Sequence, residues 1–144
     1  MRNPITPSQD GLTRELQVVR AVFAAAVVVS IFHYADNTLR YSDYLNGQST
    51  PIARWMIPAS WALLTGAGLL GYRYLIIGQR PLAAALLGVY SASGLVGPIH
   101  YTAGPPSDFD AVQNVLIVAD TILGIAMLVI AVRVALRPAA SQRA

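Results

Sequence analysis

Residues 112–136 read VQNVLIVADTILGIAMLVIAVRVAL, a stretch whose only ionisable side chains are Asp120 and Arg133. A run this long and apolar matches the about 20 residues an α-helix needs to cross a bilayer. Working outward from it, three more apolar blocks occur at about residues 16–39, 54–74 and 82–101. Between them lie turn formers: Asn46-Gly47 and Pro51, then Gly78 and Pro81, then Gly104-Pro105-Pro106-Ser107. Connections this short make successive helices antiparallel neighbours. The pattern predicts an all-α integral membrane protein, an antiparallel four-helix transmembrane bundle forming one membrane domain over residues 1–144. Residues 1–15 and 137–144 are expected to be polar cytoplasmic tails, the first entering a helix near Leu12 to Leu16. Residues 41–53 are expected to form a loop.

Composition agrees. The chain of 144 residues is 55% hydrophobic and 12% charged, with a mean hydropathy of +0.51, whereas soluble domains carry about 25% charged residues. No segment outside the apolar blocks is long enough to bury a core of its own. Cysteine is absent, which excludes disulfides, thiolate nucleophiles, Cys-ligated zinc and iron–sulfur clusters. The net charge of +3 comes from ten basic residues, all Arg. They are scattered along the chain at the ends of the apolar blocks, so nucleic-acid binding is not expected. Arginine without lysine, together with abundant alanine, hints at GC-rich bacterial coding and hence a bacterial inner (plasma) membrane.

Cytoplasmic flanks retain positive charge. Arg2, Arg14, Arg20, Arg73, Arg80, Arg133, Arg137 and Arg143 fall on one side of the predicted bundle, Arg40 and Arg54 on the other. Both termini are therefore expected to be cytoplasmic in a multi-pass protein. The first span is read as retained, because its apolar run ends in His33-Tyr34-Ala35-Asp36-Asn37 and not in a small-residue cleavage site.

Ionisable groups inside hydrocarbon cost about 2.5–3.5 kcal/mol on insertion scales, so each is a functional candidate. His33, Ser60, Ser93 and Asp120 each lie 13 residues from a basic-end Arg (Arg20, Arg73, Arg80 and Arg133), about 20 Å along a helix. All four helices thus offer a polar group at one depth, nearer the outer face. By the same ruler His100 comes out about 30 Å up, close to the outer surface. Helical spacing groups Ser30, His33, Asn37 and Arg40 on one stripe, with Asp36 adjoining. It likewise groups Tyr90, Ser93, Gly97 and His100, and Gln113, Ile117, Asp120, Thr121 and Gly124. Polar stripes turn inward in a membrane bundle. The expectation is an outward-facing polar cavity above an apolar cytoplasmic floor.

His33, Asp36, Asp120 and His100 are the candidate catalytic residues. Asp120 would fix the imidazole of His33, which would move a proton on a small lipophilic molecule. Asn37, Ser60, Trp61, Tyr90, Ser93, Tyr101, Asn114 and Thr121 are the candidate ligand-binding residues. A divalent metal would draw on His33, Asp36, His100 and Asp120; it is the less favoured reading, and no other cofactor is assigned. Gly66-Ala67-Gly68-Leu69-Leu70-Gly71 matches the G-x-G-x-x-G fingerprint, but no strand precedes it, so no nucleotide is expected and its glycines are read as helix-packing positions. Two functional classes stand at this point. One is a protein that binds or transforms a lipophile. The other is a non-catalytic accessory or oligomeric subunit of a membrane complex, in which the polar residues fix helix packing, His33 on Asp120 and Arg40 on Asp36 or Asp43. The expected partners are membrane lipids or a lipophilic small molecule, with a homo-oligomer or membrane complex as the alternative.

Four spans with His and Asp near the end of the first are similar in outline to the EXPERA-type membrane proteins, the emopamil-binding group, which handle sterols. The likeness is one of architecture. The only Glu of this chain is Glu15, in the N-terminal region, so no residue role is carried over; the resemblance implies only that a bundle of this size can accommodate a lipophilic ligand.

Overall fold

The computed structural model describes residues 7–137. The expected tail segments before and after them, with Arg2 and Arg143, lie outside the described residues. Of the described residues 84% are helical, and none is in a strand. Among the described residues five helices follow one another: α1 (Pro7–Leu39), the short α2 (Tyr41–Leu45), α3 (Met56–Ile76), α4 (Arg80–Leu95) and α5 (Ala111–Leu136). Two 3₁₀ turns, Gly97–Thr102 and Pro106–Asp108, join α4 to α5.

Local chemistry sets the boundaries. Asn46 in the left-handed region (φ 45°) caps α2, and Gly47 (φ 77°) continues the reversal. Gly78 (φ 79°) turns the chain between α3 and α4. Asp110 caps α5 reciprocally: its carboxylate accepts from the Gln113 N–H at 2.9 Å, and the Gln113 side chain accepts from the Asp110 N–H at 3.0 Å.

Three stretches are long and apolar enough to cross a membrane: Asp10–Leu39, Arg80–Thr102 and Ala111–Leu136. The fourth expected block does form a helix, α3, but Ser60, Thr65, three glycines and Arg73 dilute it, and it does not reach the same hydropathy. Two other expectations are corrected. Helix α1 is already formed at Pro7, ahead of the expected entry near Leu12 to Leu16, and Glu15 within it takes two hydrogen bonds from Arg80 at 2.9 and 3.1 Å. The stretch after Arg40, expected to be a loop, contains α2, whose Tyr44 is buried.

Helix α1 packs against α3 and α5, and α4 packs against the same two. The α4–α5 contact is the closest. A Cβ built on Gly94 would stand 2.1 Å from the backbone oxygen of Asp120, and one on Gly124 would stand 3.0 Å from the backbone carbon of Gly94. Only hydrogen at both positions lets the two backbones touch. The larger apolar core, built from residues such as Phe23, Leu75, Leu87, Tyr90 and Met127, fills one half of the molecule. A smaller one, Tyr44, Phe109 and Ile117, closes the other end. Buried Ser30, His33, Ser93 and Asp120 form a polar layer between them.

Candidate functional site

At the centre of that layer, His33 on α1 and Asp120 on α5 are 2% exposed each. His33 Nδ1 donates to Asp120 Oδ2 at 2.8 Å. Because a carboxylate can only accept, the bond puts a proton on Nδ1, which in a neutral imidazole is the only ring proton. The other nitrogen, Nε2, is then an acceptor, and it is buried without a partner among the described residues. An unsatisfied buried acceptor costs about 1–3 kcal/mol.

His100 stands beside it. The two imidazole rings have centroids 5.6 Å apart in an edge-on arrangement, and Asn37 Nδ2 donates to His100 Nε2 at 3.2 Å. That bond leaves the His100 proton on Nδ1. The depth ruler put His100 near the outer surface because it assumed one continuous helix. In the fold α4 stops at Leu95, and the 3₁₀ turn through Pro98, which cannot continue a helical hydrogen-bond ladder, carries His100 back over the polar layer.

A cavity of about 360 Å³ opens on this pair. Asn37, Ser60 and Ser93 line it with the two histidines, and its apolar wall includes Ile57, Val96 and Ile99. A neighbouring cavity of about 240 Å³ shares Asn37 and His100 and extends past Tyr44 to Gln48 and Thr50 in the segment after α2. The Tyr44 ring lies 4.6 Å from that of His100. Tyr44 is not among the residues expected at the site, because turn formers dominate its stretch; Tyr41, Tyr44 and Leu45 at i, i+3, i+4 spacing are the helical cue there.

Asp36 is turned away from His33. Arg40 donates to both its oxygens at 2.9 Å, and the Tyr44 hydroxyl donates to it at 2.7 Å. Arg40 also reaches Asp110. Burial first, and then the bond to Asp36, pushes the Tyr44 phenol well above its ordinary range. Arg40, and next to it the Gln113 N–H, hold the Asp110 carboxyl below its usual value. With Asp36 so committed, His33, Asp36, His100 and Asp120 do not gather round one point. Among the described residues no three His, Asp or Glu side chains are arranged to hold a metal ion.

The remaining candidates are spread. Trp61 lies on an apolar groove of about 390 Å³ between α1 and α3, its indole donating to Ser30 Oγ at 3.0 Å. Tyr90 is in the core, its ring 4.8 Å from that of Phe23. Tyr101 donates to Asn114 Oδ1 at 2.8 Å, and Asn114 in turn donates to the carbonyls of Pro106, Phe109 and Asp110, stapling the loop before α5. Thr121 bonds the carbonyls of Ile117 at 2.7 Å and Gly94 at 3.4 Å where α4 meets α5. Comparisons with family models, curated proteins and solved structures found no match to this chain.

Proposed function

We propose that this chain is a four-span inner-membrane protein with both termini cytoplasmic, and that its outward-facing cavity binds or transforms a small lipophilic molecule by His/Asp acid–base chemistry. Helix α3 joins the three apolar spans in this reading because it packs between α1 and α4 and exposes Leu63, Leu69, Leu70 and Ile76, side chains suited to lipid. Arg14, Arg20, Arg73, Arg80, Arg133 and Arg137 stand at the end assigned to the cytoplasm, and Arg40 and Arg54 at the other.

The observation that carries the reading is the unpartnered Nε2 of His33, held in the acceptor tautomer by Asp120, in a residue that lines a cavity large enough for a small ligand. No Arg, Asp or Glu lines that cavity, so its ligand is uncharged. A ligand hydroxyl or amine donating to Nε2 would satisfy the orphaned acceptor. If the proton transfers, Asp120 stabilises the imidazolium that forms.

Native mass spectrometry from a mild detergent tests this. Wild type is expected to carry an uncharged lipophile that His33→Ala loses and Asp120→Asn holds more weakly. The same complement in all three proteins would sink the ligand reading and leave the accessory-subunit role.

A further inference from the structure

At the opposite end of the molecule from the histidines, α1 and α5 part to leave a groove of about 540 Å³. Its walls follow the same rhythm on both helices. On α1, Gly11, Arg14, Glu15 and Val18 recur at i, i+3, i+4, i+7; on α5, Ile130, Arg133, Val134 and Arg137 do so. Because the helices run in opposite directions, the basic residues of both meet at the mouth and the aliphatic ones meet deeper.

The charges at the mouth are out of balance. Glu15 is the only acidic residue lining the groove among the described residues. Both its oxygens are taken by Arg80, at 2.9 and 3.1 Å, and one also lies 3.1 Å from Arg137. Arg80 thus neutralises Glu15 from outside the groove. Arg14 and Arg133 have no ion-pair partner among the described residues, so three guanidinium groups face one opening with no carboxylate free to answer them. Among the described residues, a Cβ on Gly11 would meet nothing within 4 Å.

We propose that this groove is a binding site for an anionic phospholipid. The phosphate diester sits between Arg14, Arg133 and Arg137, and an acyl chain runs down the trough of Val18, Ile130 and Val134. Guanidinium forks suit phosphate oxygens, and basic pockets between membrane helices recognise anionic head groups in this way. The aliphatic trough directly beyond the charges selects a lipid over free phosphate. The site is separate from the histidine cavity and does not rest on what that cavity binds.

The test uses the full chain, delipidated in a mild detergent and titrated by native mass spectrometry with dioleoyl phosphatidylglycerol, with dioleoyl phosphatidylcholine, and with inorganic phosphate as competitor. Phosphatidylglycerol is expected to bind at least tenfold more tightly than phosphatidylcholine. The double variant Arg14→Gln/Arg133→Gln should lose about twenty-five-fold of that affinity, about fivefold for each charge. The charge-matched Arg20→Gln/Arg73→Gln, at the same end but outside the groove, should keep it. Val18→Trp, which keeps every charge and fills the trough, should weaken binding as well. Equal binding of the two lipids, equal losses in the two double variants, or full displacement by inorganic phosphate at matched concentration would each overturn the proposal.

Discussion

Replacing Gly94 by alanine adds one methyl group where α4 meets α5. That methyl would lie 2.1 Å from the backbone oxygen of Asp120, whereas real Cβ contacts essentially never fall below 3.0 Å. The backbones must separate by about 0.9 Å, and neither contact atom can rotate away, because both belong to helical main chain. Overpacking of this kind costs about 1–3 kcal/mol. The strain also reaches the site, because the carbonyl being pushed belongs to the residue that orients His33. Gly66→Ala is the internal control: the same methyl on α3 would meet nothing within 4 Å, and alanine's higher helix propensity should gain up to about 1 kcal/mol. Unfolding in mixed micelles, followed by circular dichroism, should therefore separate the two variants by about 1–4 kcal/mol. In a ¹⁵N spectrum of the imidazoles, only Gly94→Ala should disturb the His33 tautomer. A Gly94→Ala protein within about 0.5 kcal/mol of wild type, the usual range for neutral surface substitutions, would refute the close-crossing argument.

His33→Ala leaves a buried carboxylate without its donor and should destabilise by about 3–5 kcal/mol. Asp120→Asn keeps a hydrogen-bonding partner and should cost about 1–3 kcal/mol; the reverse order in the same unfolding assay would show that the pair is not organised as described. Tyr44→Phe removes a bond to the ionised Asp36 and should cost about 1.5–3 kcal/mol, with no loss in the melt counting against that contact. Because the Tyr44 phenol is pushed up in the fold, its contribution is complete below its ordinary pKa of 10.0 and is lost as pH rises beyond it; ultraviolet titration should find this phenol still protonated while exposed tyrosines ionise. Asp110 runs the other way: its lowered carboxyl contributes above the ordinary value of 3.8 and loses that contribution as pH falls through the lowered one. Arg40→Gln should raise the carboxyl's midpoint in a ¹³C titration, and an unmoved midpoint would contradict the pairing.

Much of the layout was legible without coordinates. The helices observed at Met56–Ile76, Arg80–Leu95 and Ala111–Leu136 follow the apolar blocks expected at 54–74, 82–101 and 112–136. His33 and Asp120 were paired from equal distances to their flanking arginines, because rise per residue is constant along a regular helix. The ruler failed at His100 for the same reason: beyond Leu95 there is no regular helix to measure along. Asp36 was placed beside His33 from i, i+3 spacing, but that spacing says only which face of α1 it occupies. Its partners Tyr44 and Arg40 depend on where α2 folds back.

Sequence by itself determined what local chemistry controls: a helical, membrane-suited chain, its turns, and the equal spacing of His33, Ser60, Ser93 and Asp120 from their flanking arginines. Tertiary structure alone decided what depends on how close two helices come. Gly94 and Gly124 bring α4 onto α5. The break at Leu95 folds His100 against His33, and the parting of α1 from α5 leaves the arginine-lined groove. Periodicity along one helix carries the first kind of information. The second resides in contacts such as that of His33 with His100, 5.6 Å apart between ring centres, which no local pattern encodes.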